Sequence, residues 1–157
     1  MKYKLAIINA LYYEEITKEL SNGVNKEIQK YKNKFSFQIK NFFVSGVFEI
    51  PIIISKNINK FDAFIVLGCV IKGETPHFNF ISKSTIEAIM KLSVEYKKPI
   101  GNGIITCLNK KQALDRSKVN RKNKGGEATR AILSVLGNPY INKKKYEQLF
   151  PRNKRKS

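Results

Sequence analysis

LGCVIKGETPHF, residues Leu67 to Phe78, is the stretch that decides how this chain folds. It opens as the tail of an apolar run, Phe61 to Ile71, whose composition predicts a strand buried on both faces. The run breaks at Gly73 into a polar turn carrying Glu74, Thr75 and the sole histidine, His77. Beyond it, Ser84 to Tyr96 has helical spacing, with Ile86, Ile89, Met90 and Val94 on one side. Strand, glycine turn, loop and helix in that order put the loop at the carboxyl edge of a parallel sheet, where such folds bind ligands. An imidazole at that edge is suited to proton transfer near neutral pH.

Upstream of this stretch, Lys4 to Ala10 reads as a first strand and Glu14 to Tyr31 as a helix with Ile16, Leu20, Val24 and Ile28 every four residues. Gly23 costs that helix about 1 kcal/mol against alanine and marks a possible break. Phe35 to Val44 alternates as a second strand. The segment SGVFEIP, Ser45 to Pro51, opens a helix through Ile54: Gly46 lets the chain turn, and Pro51 suits a first helical turn. Glu49 lies at the positive end of that helix, either as a capping carboxylate or as a ligand contact.

Downstream, Pro99 to Cys107 is a fourth strand with two glycines that admit another backbone or a ligand. Lys110 to Ser117 reads as a short helix bearing Arg116. Asn123 to Leu136 reads as the last helix, opened by NKGGEA, with Ala128, Ile132, Val135 and Leu136 inward, and Gly137–Asn138–Pro139 stops it. Alternating strands and helices at this spacing predict a layered α/β sandwich around a parallel sheet. Three glycine turns, Ser45–Gly46, Gly73–Thr75 and Asn102–Gly103, would then line one edge of the sheet. A loop such as Gly73–Glu74–Thr75 before a helix presents free N–H groups to a phosphate, and Arg116 would add a forked cation. An arginine in that position ordinarily pairs on the surface, here with Asp115 or Glu87. Spacing leads as far as a phosphorylated small molecule with His77 as acid and base.

The 157 residues suit one domain over 1–157, with a basic C-terminal tail at 141–157. No window holds the roughly 18 apolar residues of a membrane span, and the apolar N-terminus runs into Glu14–Glu15 without a cleavage site. A cytoplasmic protein is expected. Two cysteines, Cys69 and Cys107, fall inside strands, and with one histidine there is no metal-ligand spacing. The net charge of +18 is spread along the chain as lysine, which suits a biased composition better than a dedicated polyanion site. No nucleic-acid-binding motif accompanies it.

Four stretches taken together, SGVFEIP, LGCVIKGETPHF, GIITCLNKKQALDRS and NKGGEA, resemble the lumazine synthases of riboflavin biosynthesis in order and separation, from about Lys4 to Leu136. The resemblance implies a three-layer α/β/α sandwich with a central four-stranded parallel sheet, flavodoxin-like. It implies condensation of 5-amino-6-(D-ribitylamino)uracil with 3,4-dihydroxy-2-butanone 4-phosphate to 6,7-dimethyl-8-ribityllumazine, phosphate and water, with no metal or organic cofactor. His77 falls on the family's catalytic histidine. Glu74, Thr75 and Arg116 match its phosphate-binding positions, and Tyr12 matches the aromatic residue that stacks on the pyrimidine. Val47, Phe48 and Glu49 match the ribityl-binding segment; Cys69, Val70 and Ile71 match the strand end that reads the pyrimidine edge. Lys124 and Glu127 match the NKG–E–A pattern, as support for the site.

Some positions depart from the family. Asn102 stands where a neighbouring subunit usually supplies an aromatic residue to the ring, and Lys72 replaces an arginine. Glu74 occupies a usually small position; Tyr13 replaces an asparagine and Ser45 a proline. Family members form pentamers with active sites between subunits, and some assemble twelve pentamers into an icosahedral 60-mer. The connection SKVNRK, Ser117 to Lys122, lacks the glycines common in shell formers, which favours a free homopentamer here. The competing expectation is a non-catalytic ligand-binding or assembly protein on the same scaffold, suggested by Asn102 and the basic tail. It would bind without turning over.

Overall fold

The computed structural model describes residues 2–137 and Gln148. The proposed stop at Asn138–Pro139 and, apart from Gln148, the basic tail lie outside those residues. Four parallel strands form one sheet in the order β2-β1-β3-β4: β1 Lys2–Ala10, β2 Ser36–Val44, β3 Ala63–Ile71 and β4 Ile100–Cys107. This is the expected flavodoxin-like sandwich, since a right-handed crossover between parallel strands lays a helix on one face or the other.

Residue parity along the two central strands explains the layers. Leu5 and Ile7 of β1, with Ile65, Leu67 and Cys69 of β3, point to one face. There they meet Ile16, Leu20 and Val24 of α1 (Glu14–Lys30), Ala113 of α4 (Lys110–Ser117) and Ile132 of α5 (Lys124–Leu136). Ala6, Ile8, Phe64 and Val66 point to the other face, against Ile50 and Ile54 of α2 (Ile50–Asn57) and Ile89 of α3 (His77–Tyr96). Where both faces are covered, β1 from Leu5 to Ala10 is apolar apart from Asn9, and β3 carries no polar side chain larger than a thiol. Edge strand β2 is mostly exposed and keeps alternating polarity.

Gly23 does not break α1. A side chain there would run into Asn123 and Gly126, and one at Gly125 would run into the Leu20 backbone, so these glycines let α1 and α5 touch. Beside that contact Glu27 is buried, accepting from Lys30 at 3.1 Å and pairing with Arg130 at 3.2 Å. Gly101 in β4 serves the same purpose against the Ala128 backbone of α5, so what its missing side chain admits is another backbone.

Three expectations need correcting. Helix α3 starts at His77, not Ser84: Pro76 takes the cap position, and its carbonyl accepts from Asn79 and Phe80 at 3.1 and 3.3 Å. Met90 and Val94 are not on its inward side; they are 62% and 69% exposed, while Thr85 and Ile89 are buried. Val135 of α5 is exposed as well. Asn102–Gly103 is no edge turn. Those two residues pair with Val66 and Leu67 in the body of β4, so only Ser45–Gly46 and Gly73–Thr75 lie at the carboxyl edge.

Candidate active site

The carboxyl ends of β1 and β3 open into a cleft of about 390 Å³ between the start of α1, the turn before α2 and the start of α3. Each wall has a local cause. Leu11 N–H donates to the Val44 carbonyl at 2.9 Å, continuing the β1–β2 ladder to the point where the chain turns out into Tyr12 and Tyr13. Tyr12 is exposed, and its ring meets that of Tyr13 edge-on at 4.9 Å.

The second wall is the 3₁₀ turn Val47–Glu49. Val47 is buried where β3 has Gly68: a Cβ on Gly68 would strike the Val47 side chain, so the glycine seats this turn on the sheet edge. Gly46 itself has extended backbone (φ −149°) that any residue adopts. The Glu49 carboxylate accepts from the Gly46 N–H at 3.1 Å, so Glu49 caps the turn while also lining the cleft. Phe48 stands exposed beside it.

The third wall is the end of β3 and the first turn of α3. Cys69, Val70 and Ile71 form the floor, with His77 and Ile81 across from them. His77 is exposed on the first turn of α3, where the leading N–H groups have no preceding helical carbonyl to bond. Lys72 N–H donates to the Cys107 carbonyl at 2.8 Å, tying the strand end to β4 before Gly73 leaves the sheet. Gly73, Glu74 and Thr75 are exposed, and among the described residues nothing lies within 4 Å of where a Gly73 side chain would be.

Burial pushes the Cys69 thiol up to about 12, helped by its contact with Cys107, so it is a neutral thiol in the cleft floor. Burial also raises Cys107, against the opposing pull of the Arg116 guanidinium. Both are free cysteines. They sit two residues out of register on adjacent strands, which sets their Cα atoms roughly 8 Å apart, beyond disulfide reach. Tyr13 is raised above the usual phenol value by burial, then by Tyr12 and Cys69.

The structure thus brings Tyr12, Val47, Phe48, Glu49, Cys69, Val70, Ile71 and His77 around one space. It does not bring Asn102, Glu74, Thr75, Arg116, Lys124 or Glu127 into that lining. Asn102 is exposed in mid-β4, its side-chain oxygen accepting from Ile104 N–H at 3.1 Å. Arg116 ends α4 and, among the described residues, pairs with neither Asp115 nor Glu87; Glu87 approaches Lys83 instead. Lys124 and Glu127 bond each other at 2.8 Å in the first turn of α5, which Asn123 caps by accepting from Gly126 N–H. Gly46 lines the cleft from the expected Ser45–Gly46 edge turn, whereas Tyr13 and Ile81 line it without having been singled out for it from the sequence. The available signal was a place next to Tyr12 and one helical turn beyond His77.

Residues 2–138 match the family described as 6,7-dimethyl-8-ribityllumazine synthase. The chain belongs to that family. The 6,7-dimethyl-8-ribityllumazine synthase of Bartonella tribocorum is 37% identical over 138 residues, covering 86% of this chain and 89% of the relative. The protein of the same name from Methylorubrum populi is 37% identical over 140 residues, covering 85% and 80%. That from Ruthia magnifica is 34% identical over 142 residues, covering 86% and 84%. The family match spans the sandwich from β1 through α5.

Proposed function

We propose that this chain is a transferase of riboflavin biosynthesis that makes 6,7-dimethyl-8-ribityllumazine from 5-amino-6-(D-ribitylamino)uracil and 3,4-dihydroxy-2-butanone 4-phosphate. The observation that carries this beyond family membership is the placement of exposed His77 on the same cleft as Tyr12 and the Val47–Glu49 turn. The pyrimidine's primary amine attacks the ketone carbonyl, and the carbinolamine loses water to give an imine. Phosphate then leaves from C4 as the C3 proton is removed, and the resulting enol takes a proton at C4 to become a C3 ketone. The ribityl-bearing nitrogen adds to that carbonyl and closes the ring with loss of a second water. His77 relays the protons of imine formation and phosphate departure; such help is worth about two to four orders of magnitude. Holding the two reactants together supplies much of the remainder, because the amine is already a capable nucleophile.

In this reading Tyr12 stacks on the pyrimidine, and the backbone at Cys69, Val70 and Ile71 meets its polar edge. Val47, Phe48 and Glu49 hold the ribityl chain; the Glu49 oxygen not committed to Gly46 accepts from its hydroxyls. The phosphate lies on Glu74–Thr75 backbone at the head of α3, with Arg116 as its cation, favouring the departing dianion. Lys124 and Glu127 support the site through their mutual ion pair. The residues form one domain working in the cytoplasm; among the described residues no helix is long and apolar enough to cross a membrane.

The reading includes a homopentamer with sites between subunits. Two features support it. Among the described residues the cleft lining contains no lysine or arginine, although a phosphate must be bound. Phe48 of the 3₁₀ turn and Ile52 of α2 are exposed and line a groove of about 510 Å³ between α2 and α3. A neighbouring copy answers both.

The test mixes purified protein with both substrates and follows lumazine absorbance and released phosphate together. The wild type should give equal amounts of each product, and His77→Ala should lower kcat by about two to four orders of magnitude. Ligand binding with no turnover above the spontaneous condensation would replace the enzyme reading by that of a binding protein.

A further inference from the structure

Tyr13 shares the cleft with Tyr12 but has no part in the reaction as described. It occupies the cap position before α1, half-buried, with its ring packed on the cluster beneath that helix. Tyr12 is 75% exposed, and a ring so exposed ordinarily samples several rotamers. Here the two rings meet with centroids 4.9 Å apart and planes at 73°. Edge-to-face contact of this kind is preferred by the aromatic quadrupole and contributes beyond the area buried. One ring is therefore anchored in the protein and the other leans on it. A phenol is neutral at neutral pH, and burial raises that of Tyr13 further above its usual value, so no charge disturbs the contact or an incoming flat ring.

We propose that Tyr13 is a positioning residue for substrate recognition: held by the core, it fixes the Tyr12 ring in the pose that stacks on a planar heterocycle. This rests on the assignment of Tyr12 to the pyrimidine given above. Removing the Tyr13 ring should free Tyr12, so the lost affinity falls on the pyrimidine substrate alone. The ketone phosphate, bound elsewhere, should not notice. Chemistry after binding should proceed as before, because neither tyrosine moves a proton in the reaction.

The experiment is steady-state kinetics with each substrate varied in turn, on folded variants checked by circular dichroism. Tyr13→Leu should raise KM for the pyrimidine by about three- to tenfold, with KM for the ketone phosphate and kcat little changed. Tyr13→Phe, which keeps the ring, should restore the wild-type value. Tyr12→Leu and the Tyr12→Leu/Tyr13→Leu double variant should be equally impaired, because Tyr13 acts through Tyr12. Should Tyr13→Leu not fold, Tyr13→Met fills more of the same space and is read in its place. An unchanged pyrimidine KM, an equal rise for both substrates, a Phe variant as impaired as Leu, or multiplying effects of the two tyrosines would each overturn the proposal. Turnover by the wild type with an unaltered Tyr13→Leu sinks this inference only. A wild type that makes no lumazine removes the function reading and this inference together.

Discussion

His77 and Cys69 show how differently two reactive side chains are treated within one cleft. His77 stands exposed on a first helical turn, placed by Pro76, whose ring favours helix entry and gives up an N–H that would go unbonded. Cys69 is buried and kept protonated, with its thiol pushed to about 12. A thiol raised in the folded state holds its proton longer there than in the unfolded chain. Between the unfolded value near 9.0 and the folded value near 12, the native state binds more protons, so stability falls as pH rises through that window. Below pH 9 the thiol contributes no pH dependence. Chemical unfolding at pH 8, 10 and 11 should show this loss, and Cys69→Ala should flatten it relative to wild type, even though the variant starts less stable. A parallel fall in both proteins would mean that other groups cause the alkaline loss. Modification by iodoacetamide at pH 8 should be slow in the folded protein for the same reason.

Most elements were legible because periodicity reports burial. Leu5 to Ala10 and Ala63 to Leu67 are buried on both sides, so they read as continuous apolar runs, and Ile16, Leu20 and Val24 mark one face of α1. The start of α3 was not legible: HFNFIS has no clean helical period, because Phe80 is exposed and Phe78 half-buried. Met90 and Val94 mislead for a related reason. Periodicity identifies an apolar face but not whether the chain's own sheet covers it. The cleft was legible where adjacent residues share a wall, as in Val47–Glu49 and Cys69–Ile71; Tyr13 escaped because its value depends on a ring contact. At the α1–α5 contact, Glu27 gives a direct test. Its side chain is 3% exposed and Arg130's is 27% exposed. Glu27→Ala leaves that guanidinium half-desolvated without its partner, and should cost about 2–3 kcal/mol, below the range for a fully dry pair. Glu27→Leu with Arg130→Met should recover most of it, since burying two apolar groups avoids the desolvation that the ion pair must overcome. Denaturant midpoints at constant slope would decide; a single variant within about 0.5 kcal/mol of wild type would remove the pair from the account.

At the scale of the molecule, the described residues are rich in apolar surface and cation but their cleft is poor in the latter. Its lining offers an imidazole, a carboxylate already capping a turn, two phenols and a neutral thiol. A leaving phosphate needs a cation, and Arg116, without an ion pair among the described residues, is the one assigned to it. If copies of the chain form a ring, each contact is heterologous: one copy presents the His77 cleft and the next presents α4. Complementation separates this from a site built within one chain. His77→Ala and Arg116→Ala are each prepared, shown to be nearly inactive, then unfolded and refolded together in equal amounts. When the two residues come from different copies, random mixing pairs an intact His77 with an intact Arg116 at about one contact in four, and activity returns to about a quarter of wild type. When both come from the same chain, every site keeps one defect and nothing returns. Sedimentation of the same samples fixes the assembly size, and Met90→Glu, placing charge on the exposed face of α3, should lower size and activity together. A fully active Met90→Glu monomer would show that one copy suffices.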